Sequence, residues 1–336
     1  MPISSPAVQP DLAPRGAITI DPAVFDPAAI SAETRAVNAG IVKALGAVPD
    51  RWVFPMAMLR KLRLDGKGPF PLAPESPYAQ AIEIDGPHGP IPLRVLGPPE
   101  PKGVYLHLHG GGWTLGSARE NDGLNHRFVE RTGFAVVSVD YRLAPEEPWP
   151  MGPDDCEAAA LWLLREGPTR FGTERYAIGG ESAGANLSVA TLLRLRDKHG
   201  IMPFRAASLH AGCYDLALTP SARSWGDEPL VLNTRDINVF VGHYLRTMGE
   251  VADASAATPD ISPLYADLTG LPPALFTVGT RDPLIDDTLF MAPRWLAAGN
   301  ATELAVYPGG AHVFIGFPGT LSDQALARMH GFIAGC

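Results

Sequence analysis

The chain has 336 residues, 46% of them apolar, and a formal net charge of -9, enough length for a large core in one domain with an accessory lobe, or in two domains. No cluster of Lys and Arg interrupts the acidic balance, which excludes the basic face that nucleic acid or an anionic membrane surface would need. The three cysteines, Cys156, Cys213 and Cys336, are scattered; they form neither a disulfide framework nor a metal-ligand spacing and suit a reducing, cytoplasmic setting.

Met1 to Ile20 carries Pro2, Pro6, Pro10 and Pro14 and no continuous apolar region, and no later run reaches the length of a membrane span, so stable membrane insertion is not expected. Between Ile30 and Leu64, Val37, Ile41, Ala44 and Leu45 recur at helical spacing, and Met56, Leu59 and Leu62 continue it after Pro55. This predicts an N-terminal helical lobe. Ala81 to Ile84 and Ile91 to Leu96 flank a Gly/Pro-rich loop and read as a hairpin.

Val104 to Leu108, Ala135 to Val139, Tyr176 to Ile178, Ala206 to Leu209, Ala274 to Val278 and Glu303 to Tyr307 then alternate with stretches of helical pattern. Alternation of this kind predicts a parallel sheet wrapped by helices. Between Leu216 and Leu264 the rhythm lapses, and Asp236 to Arg246 reads as a helix in an insertion that packs on the N-terminal lobe.

The chemistry-bearing residues stand at strand ends. Gly180-Glu181-Ser182-Ala183-Gly184 follows one strand and opens a helix, which can present a serine hydroxyl on a sharp turn. Composition alone yields about 0.15 chance copies of Gly-x-Ser-x-Gly in such a chain, so the motif needs partners. His109-Gly110-Gly111-Gly112-Trp113 ends the first parallel strand, where three glycines allow backbone N–H groups to face a developing oxyanion. It lacks the Lys-Ser/Thr of a phosphate loop. His107 and His109 alternate on one strand face, a spacing open to a metal, but no third ligand completes the set, and His109 reads better as a brace for the loop. Asp282 and His312 follow the strands Ala274 to Val278 and Glu303 to Tyr307 and should emerge at the same carboxyl edge as Ser182. Asp282 precedes Pro283 and also suits a helix cap. Asp286 and Asp287 read as first-turn charges favoured by the helix dipole, and Gly309-Gly310-Ala311 reads as a turn.

HGGGW at His109, DYRLAPE at Asp140, GESAG at Gly180, DPL at Asp282 and the late His312 together resemble the hormone-sensitive-lipase family of α/β-hydrolases, the bacterial family IV carboxylesterases, over nearly the whole chain. The resemblance implies an α/β-hydrolase fold with a mostly parallel eight-stranded sheet flanked by helices, and a helical cap. It divides the chain into cap helices at 1–75, a first part of the catalytic core at 76–215, a cap insertion at 216–264 and a second part of the core at 265–336. It also implies hydrolysis of short- to medium-chain acyl esters. Position by position, Ser182 matches the nucleophile, Asp282 the triad acid and His312 the base, with Gly111, Gly112 and Ala183 as oxyanion donors and Gly110 shaping the loop. DYRLAPE reads as architectural.

The family commonly has Asp before the nucleophile and Gly after the base, where this chain has Glu181 and Val313, so pocket size is the property expected to differ. The mechanism requires no cofactor and no metal. The expected partner is a small-molecule ester, and a homodimer through an edge strand is compatible with the family. Two other readings remain open at this level: an amidase, deacetylase or lactonase using the same residues, and a silent ligand-binding protein on the same scaffold.

Overall fold

The computed structural model describes residues 17–246 and 256–336; the proline-rich leader reading at Met1 to Ile20 and part of the 216–264 insertion fall largely or partly outside them. Eight strands form one sheet in the order β1-β2-β4-β3-β5-β6-β7-β8. They are β1 (Ala79–Ile84), β2 (Ile91–Leu96), β3 (Val104–Leu108), β4 (Ala135–Val139), β5 (Tyr176–Glu181), β6 (Phe204–His210), β7 (Ala274–Arg281) and β8 (Thr302–Ala311). The hairpin β1–β2 is antiparallel, as is β2 against β4, and the other six strands run parallel.

The burial of each strand follows from that order. Every residue of β3, β4 and β5 is buried, because helices cover both faces of a central parallel strand and leave no side for polar alternation. At the edge, β1 keeps a single buried residue, Ile84. The helices α3 (Asp122–Thr132), α4 (Met151–Phe171), α5 (Ala183–His199), α8 (Ile285–Ala297) and α9 (Thr320–Ala334) are the crossovers and the closing helix. Of these, α5 buries every residue from Ala183 to Leu195.

α1 (Ala32–Gly46) and α2 (Met56–Leu64) precede the sheet, and α6 (Pro220–Ser224) and α7 (Thr234–Tyr244) lie between β6 and β7. Ser31 caps α1 by accepting the Thr34 N–H, and Asn233 caps α7 by accepting that of Asp236, so α7 starts two residues earlier than the sequence pattern suggests. The two segments meet where the Trp52 indole N–H donates to Asp236 at 2.7 Å and the ring stands edge-on to Phe240 at 4.9 Å.

Four strands outrun their expected ends, β5 reaching Glu181 and β6 His210. β7 continues to Arg281 and β8 through Pro308, Gly309 and Gly310 to Ala311, so the stretch that reads as a turn is strand. β8 is an edge strand, where a proline is tolerated because one side of the ladder has no partner to lose.

Candidate active site

The switch in strand order falls where β3 pairs with β4 on one side and β5 on the other, and ligand crevices of open α/β sheets form at the carboxyl ends of such strands. Ser182 sits there, between β5 and α5, with φ 56° and ψ -120°. A side chain at Gly180 or Gly184 would run into the Leu108 carbonyl of β3, so both flanking glycines are demanded by close approach of the chains. The Ser182 N–H is held by the His210 carbonyl at 2.9 Å.

The turns after β7 and β8 deliver the other two side chains. His312 Nε2 lies 2.9 Å from Ser182 Oγ, and its Nδ1 lies 3.0 Å from each carboxylate oxygen of Asp282. With the Nδ1–H donated to Asp282, Nε2 is left as an acceptor facing the serine hydroxyl. Exposure is 8% for Ser182, 4% for His312 and zero for Asp282, so the contacts operate away from bulk water. Asp282 also accepts the Leu284 N–H at 2.8 Å ahead of α8; the capping role and the histidine contact coexist.

The glycine loop folds back on itself, with the N–H groups of Thr114 and Leu115 both donating to the Gly111 carbonyl. Gly111 has φ 124°, and a side chain there would strike the Leu115 carbonyl. Gly112 lies directly under the Phe240 ring, which no local pattern in the sequence announces. Ala183 is the first residue of α5, where the N–H has no partner within the helix and the helix dipole favours negative charge.

His109 braces this loop: its Nδ1 lies 2.8 Å from the Gly110 carbonyl, and burial pushes its pKa down, which keeps it neutral. The ring stacks on Tyr141 at 4.3 Å, and the Tyr141 hydroxyl donates to the His109 carbonyl at 2.7 Å. In the same DYRLAPE stretch Asp140 accepts the Ala118 N–H, Arg142 pairs with Asp155 and Glu146 with Arg60. Its charges bind neighbouring segments rather than one another. His107 turns to Ser138 and Glu181, and among the described residues no group of three or more His, Cys, Asp and Glu could hold a metal ion.

Asp286 and Asp287 lie in the first turn of α8 as expected, but a dipole charge is only part of what they do. Asp287 is fully buried and accepts from the backbone N–H groups of Tyr214 and Asp215 and from the Thr219 hydroxyl. Asp286 accepts the Ser221 N–H. The pair ties the segment after β6 to the helix after β7. Burial raises the Asp287 carboxyl to about 7 in spite of those hydrogen bonds.

Above Ser182 and His312 opens a cavity of about 550 Å³, with Trp113, Leu232, Phe240, Val313, Ile315 and Phe317 in its walls. Tyr214, Tyr244 and Phe314 are buried in the core. Among the described residues no helix is long and apolar enough to cross a membrane.

Residues 105–316 match the family model described as the alpha/beta hydrolase fold. The chain is 35% identical over 250 residues to a Mycobacterium tuberculosis protein named Carboxylesterase NlhH, covering 73% of this chain and 77% of that one. It is 31% identical over 315 residues to Esterase LipI of Mycobacterium tuberculosis, covering 90% and 95%. A solved structure, an esterase of the bacterial hormone-sensitive lipase family, superposes with a TM-score of 0.75 at 31% identity, over 91% of this chain and 99% of the other. The chain therefore belongs to the α/β-hydrolase family, in its hormone-sensitive-lipase branch.

Proposed function

We propose that this chain is a serine carboxylesterase acting on short- to medium-chain acyl esters through an acyl-enzyme. Ser182 Oγ attacks the ester carbonyl carbon while its proton passes to His312 Nε2, and Asp282 holds the imidazole tautomer and offsets the charge it acquires. The tetrahedral oxyanion is received by the N–H groups of Gly111, Gly112 and Ala183. As the intermediate collapses, the bond to the alcohol oxygen breaks and His312 returns the proton to it. Water then repeats the attack, with His312 taking its proton, and release of the acid restores Ser182.

One observation carries this reading: a single buried imidazole lies within hydrogen-bond reach of Ser182 on one nitrogen and Asp282 on the other. The predominantly apolar walls of the cavity suit an acyl or alcohol chain, and relatives bear the names carboxylesterase and esterase. Helices α1, α2 and α7 act as the cap in this reading. The three unpaired cysteines support a cytoplasmic location, and the place of β8 at the end of the strand order suits pairing of two copies along that edge, checked by light scattering.

The test is Ser182→Ala. Hydrolysis of p-nitrophenyl butyrate should drop at least ~10⁴-fold while the melting temperature stays near that of the parent. Retained turnover in the folded variant refutes the assignment. Matched amide, lactone and ester substrates separate an esterase from an amidase or lactonase, because the same nucleophile serves each carbonyl while the leaving group is in turn an amine, a tethered alcohol and a free alcohol.

A further inference from the structure

Beneath the glycine loop a chain of hydrogen bonds runs crosswise through three neighbouring strands. Ser138 on β4 stands opposite His107 on β3 in the sheet register, and its Oγ lies 2.8 Å from His107 Nδ1. His107 Nε2 lies 3.2 Å from Glu181 Oε2 at the end of β5. Glu181 Oε1 then accepts the N–H of Gly110, the first glycine of the loop, at 2.9 Å. Asn125 of α3 closes on His107 Nδ1 from the side at 3.4 Å. All four side chains are buried.

A carboxylate at that depth is costly unless each of its oxygens finds a donor, and here each has one. Burial acts to raise the Glu181 pKa, but the His107 charge and hydrogen bond and the Gly110 amide outweigh it, leaving the carboxyl below its usual range. The loop also rests on this residue from above, since a side chain at Gly110 would meet the Glu181 carbonyl oxygen at 2.8 Å.

We propose that Glu181 is the positioning residue of the oxyanion hole, its main chain leading into Ser182 while its carboxylate grips the Gly110 amide. The spacing between the attacking oxygen and the donors of Gly111 and Gly112 is then set within one residue. His107 and Ser138 fix the direction of the carboxylate. The sequence pattern offered His107 only as half of a metal pair, and the geometry gives it this other task. The inference rests on the serine esterase reading above and adds to it what holds the anion donors in place.

Because the effect is on the transition state, it should be read in kcat and in the affinity of a tetrahedral analogue such as butylboronic acid, with KM unmoved. Glu181→Ala should lower kcat about 30- to 100-fold, up to the roughly hundredfold expected when anion donors are displaced by an ångström and short of their outright loss, and weaken the boronate in parallel. Glu181→Gln retains an acceptor for the Gly110 N–H and, with a change of His107 tautomer, a partner for the ring; it should recover most of that loss. Ser138→Ala should cost a few-fold. If the Ala variant does not fold, the Gln and Ser138→Ala variants carry the same parallel test. A kcat within twofold of the parent in the folded Ala variant (or in Ser138→Ala where the Ala variant does not fold), a kcat loss with boronate affinity intact, or equal losses in the folded Ala and Gln variants would each overturn the proposal. A parent protein that hydrolyses no ester and takes no fluorophosphonate label on Ser182 would instead defeat the esterase reading itself.

Discussion

At the carboxyl edge of the sheet, Ser182, Asp282 and His312 are all buried and anchored from several elements, whereas α1 above them buries only Thr34 and Ile41, and α2 only Met56. Backbone conformation divides the same way. Six non-glycine residues have positive φ among the described residues, and four of them, Trp113, Ser182, Ala211 and Val313, follow the carboxyl ends of β3, β5, β6 and β8. Such conformations persist only where surrounding structure over-determines them. The edge has that support: His210 holds the Ser182 amide, Glu181 the Gly110 amide and Asp287 the Tyr214 amide. The cap is held chiefly through side chains, among them Trp52 to Asp236 and Phe240 and Arg60 to the Thr114 and Ala144 carbonyls, and Val53 and Met58 on it are 70% and 46% exposed. Chemistry is thus assigned to a buried floor and substrate fit to a more exposed roof, which predicts that floor variants change kcat and roof variants change KM.

The largest effect should come from the floor. Asp282→Asn keeps the volume but can no longer hold the His312 tautomer by accepting on both oxygens, and kcat should fall about 10⁴-fold with little change in KM. A loss under tenfold in steady-state ester hydrolysis would mean that another group orients the base. In the roof, Trp52→Ala removes both the bond to Asp236 and the edge contact with Phe240. KM should rise about tenfold with kcat within twofold, and a fall in kcat alone would erase the distinction between roof and floor.

The sequence revealed the floor better than its supports. Ser182, Asp282 and His312 could be placed together because each ends an apolar run, and consecutive parallel strands carry such ends to one edge. The strands themselves were legible wherever burial on both faces made the run continuous, as in β3 and β4. What stayed hidden depends on contacts between distant segments. Asp287 looks like any first-turn acid until folding brings Tyr214 to Thr219 against it. The Tyr141 bond to the His109 carbonyl and the seat of Phe240 over Gly112 have no periodic signature. The end of β8 was missed for a local reason: Pro308 and two glycines signal a turn, and only an edge position lets them remain strand.

Asp287 allows the floor to be tested by pH. Its folded pKa of about 7 lies above that of an unfolded aspartate, so the folded state holds the extra proton. Its contribution to stability is fully present below about pH 4 and is lost as pH rises through about 7. Asp287→Asn preserves an acceptor for the Tyr214 and Asp215 amides without the titration. Between pH 5 and pH 8 the melting temperature of the parent should therefore fall relative to that of the variant, by on the order of 3 °C. Parallel curves for the two proteins would show that Asp287 stays ionised throughout and that its three hydrogen bonds outweigh its burial.

The smallest effect belongs to Val313, where floor and roof meet. It follows His312, lines the cavity and has φ 52°, a conformation strained for a β-branched side chain. Relief of that strain in Val313→Gly is worth about 1–3 kcal/mol, and the greater freedom of glycine in the unfolded chain offsets about 1 kcal/mol of it. The melting temperature should therefore hold or rise slightly. Removal of the isopropyl group should at the same time shift the p-nitrophenyl ester series towards longer chains, by up to about tenfold in kcat/KM per methylene newly accommodated. If stability rises and the chain-length profile does not move, Val313 belongs to the floor, and the strain there serves to hold His312 rather than to limit the substrate.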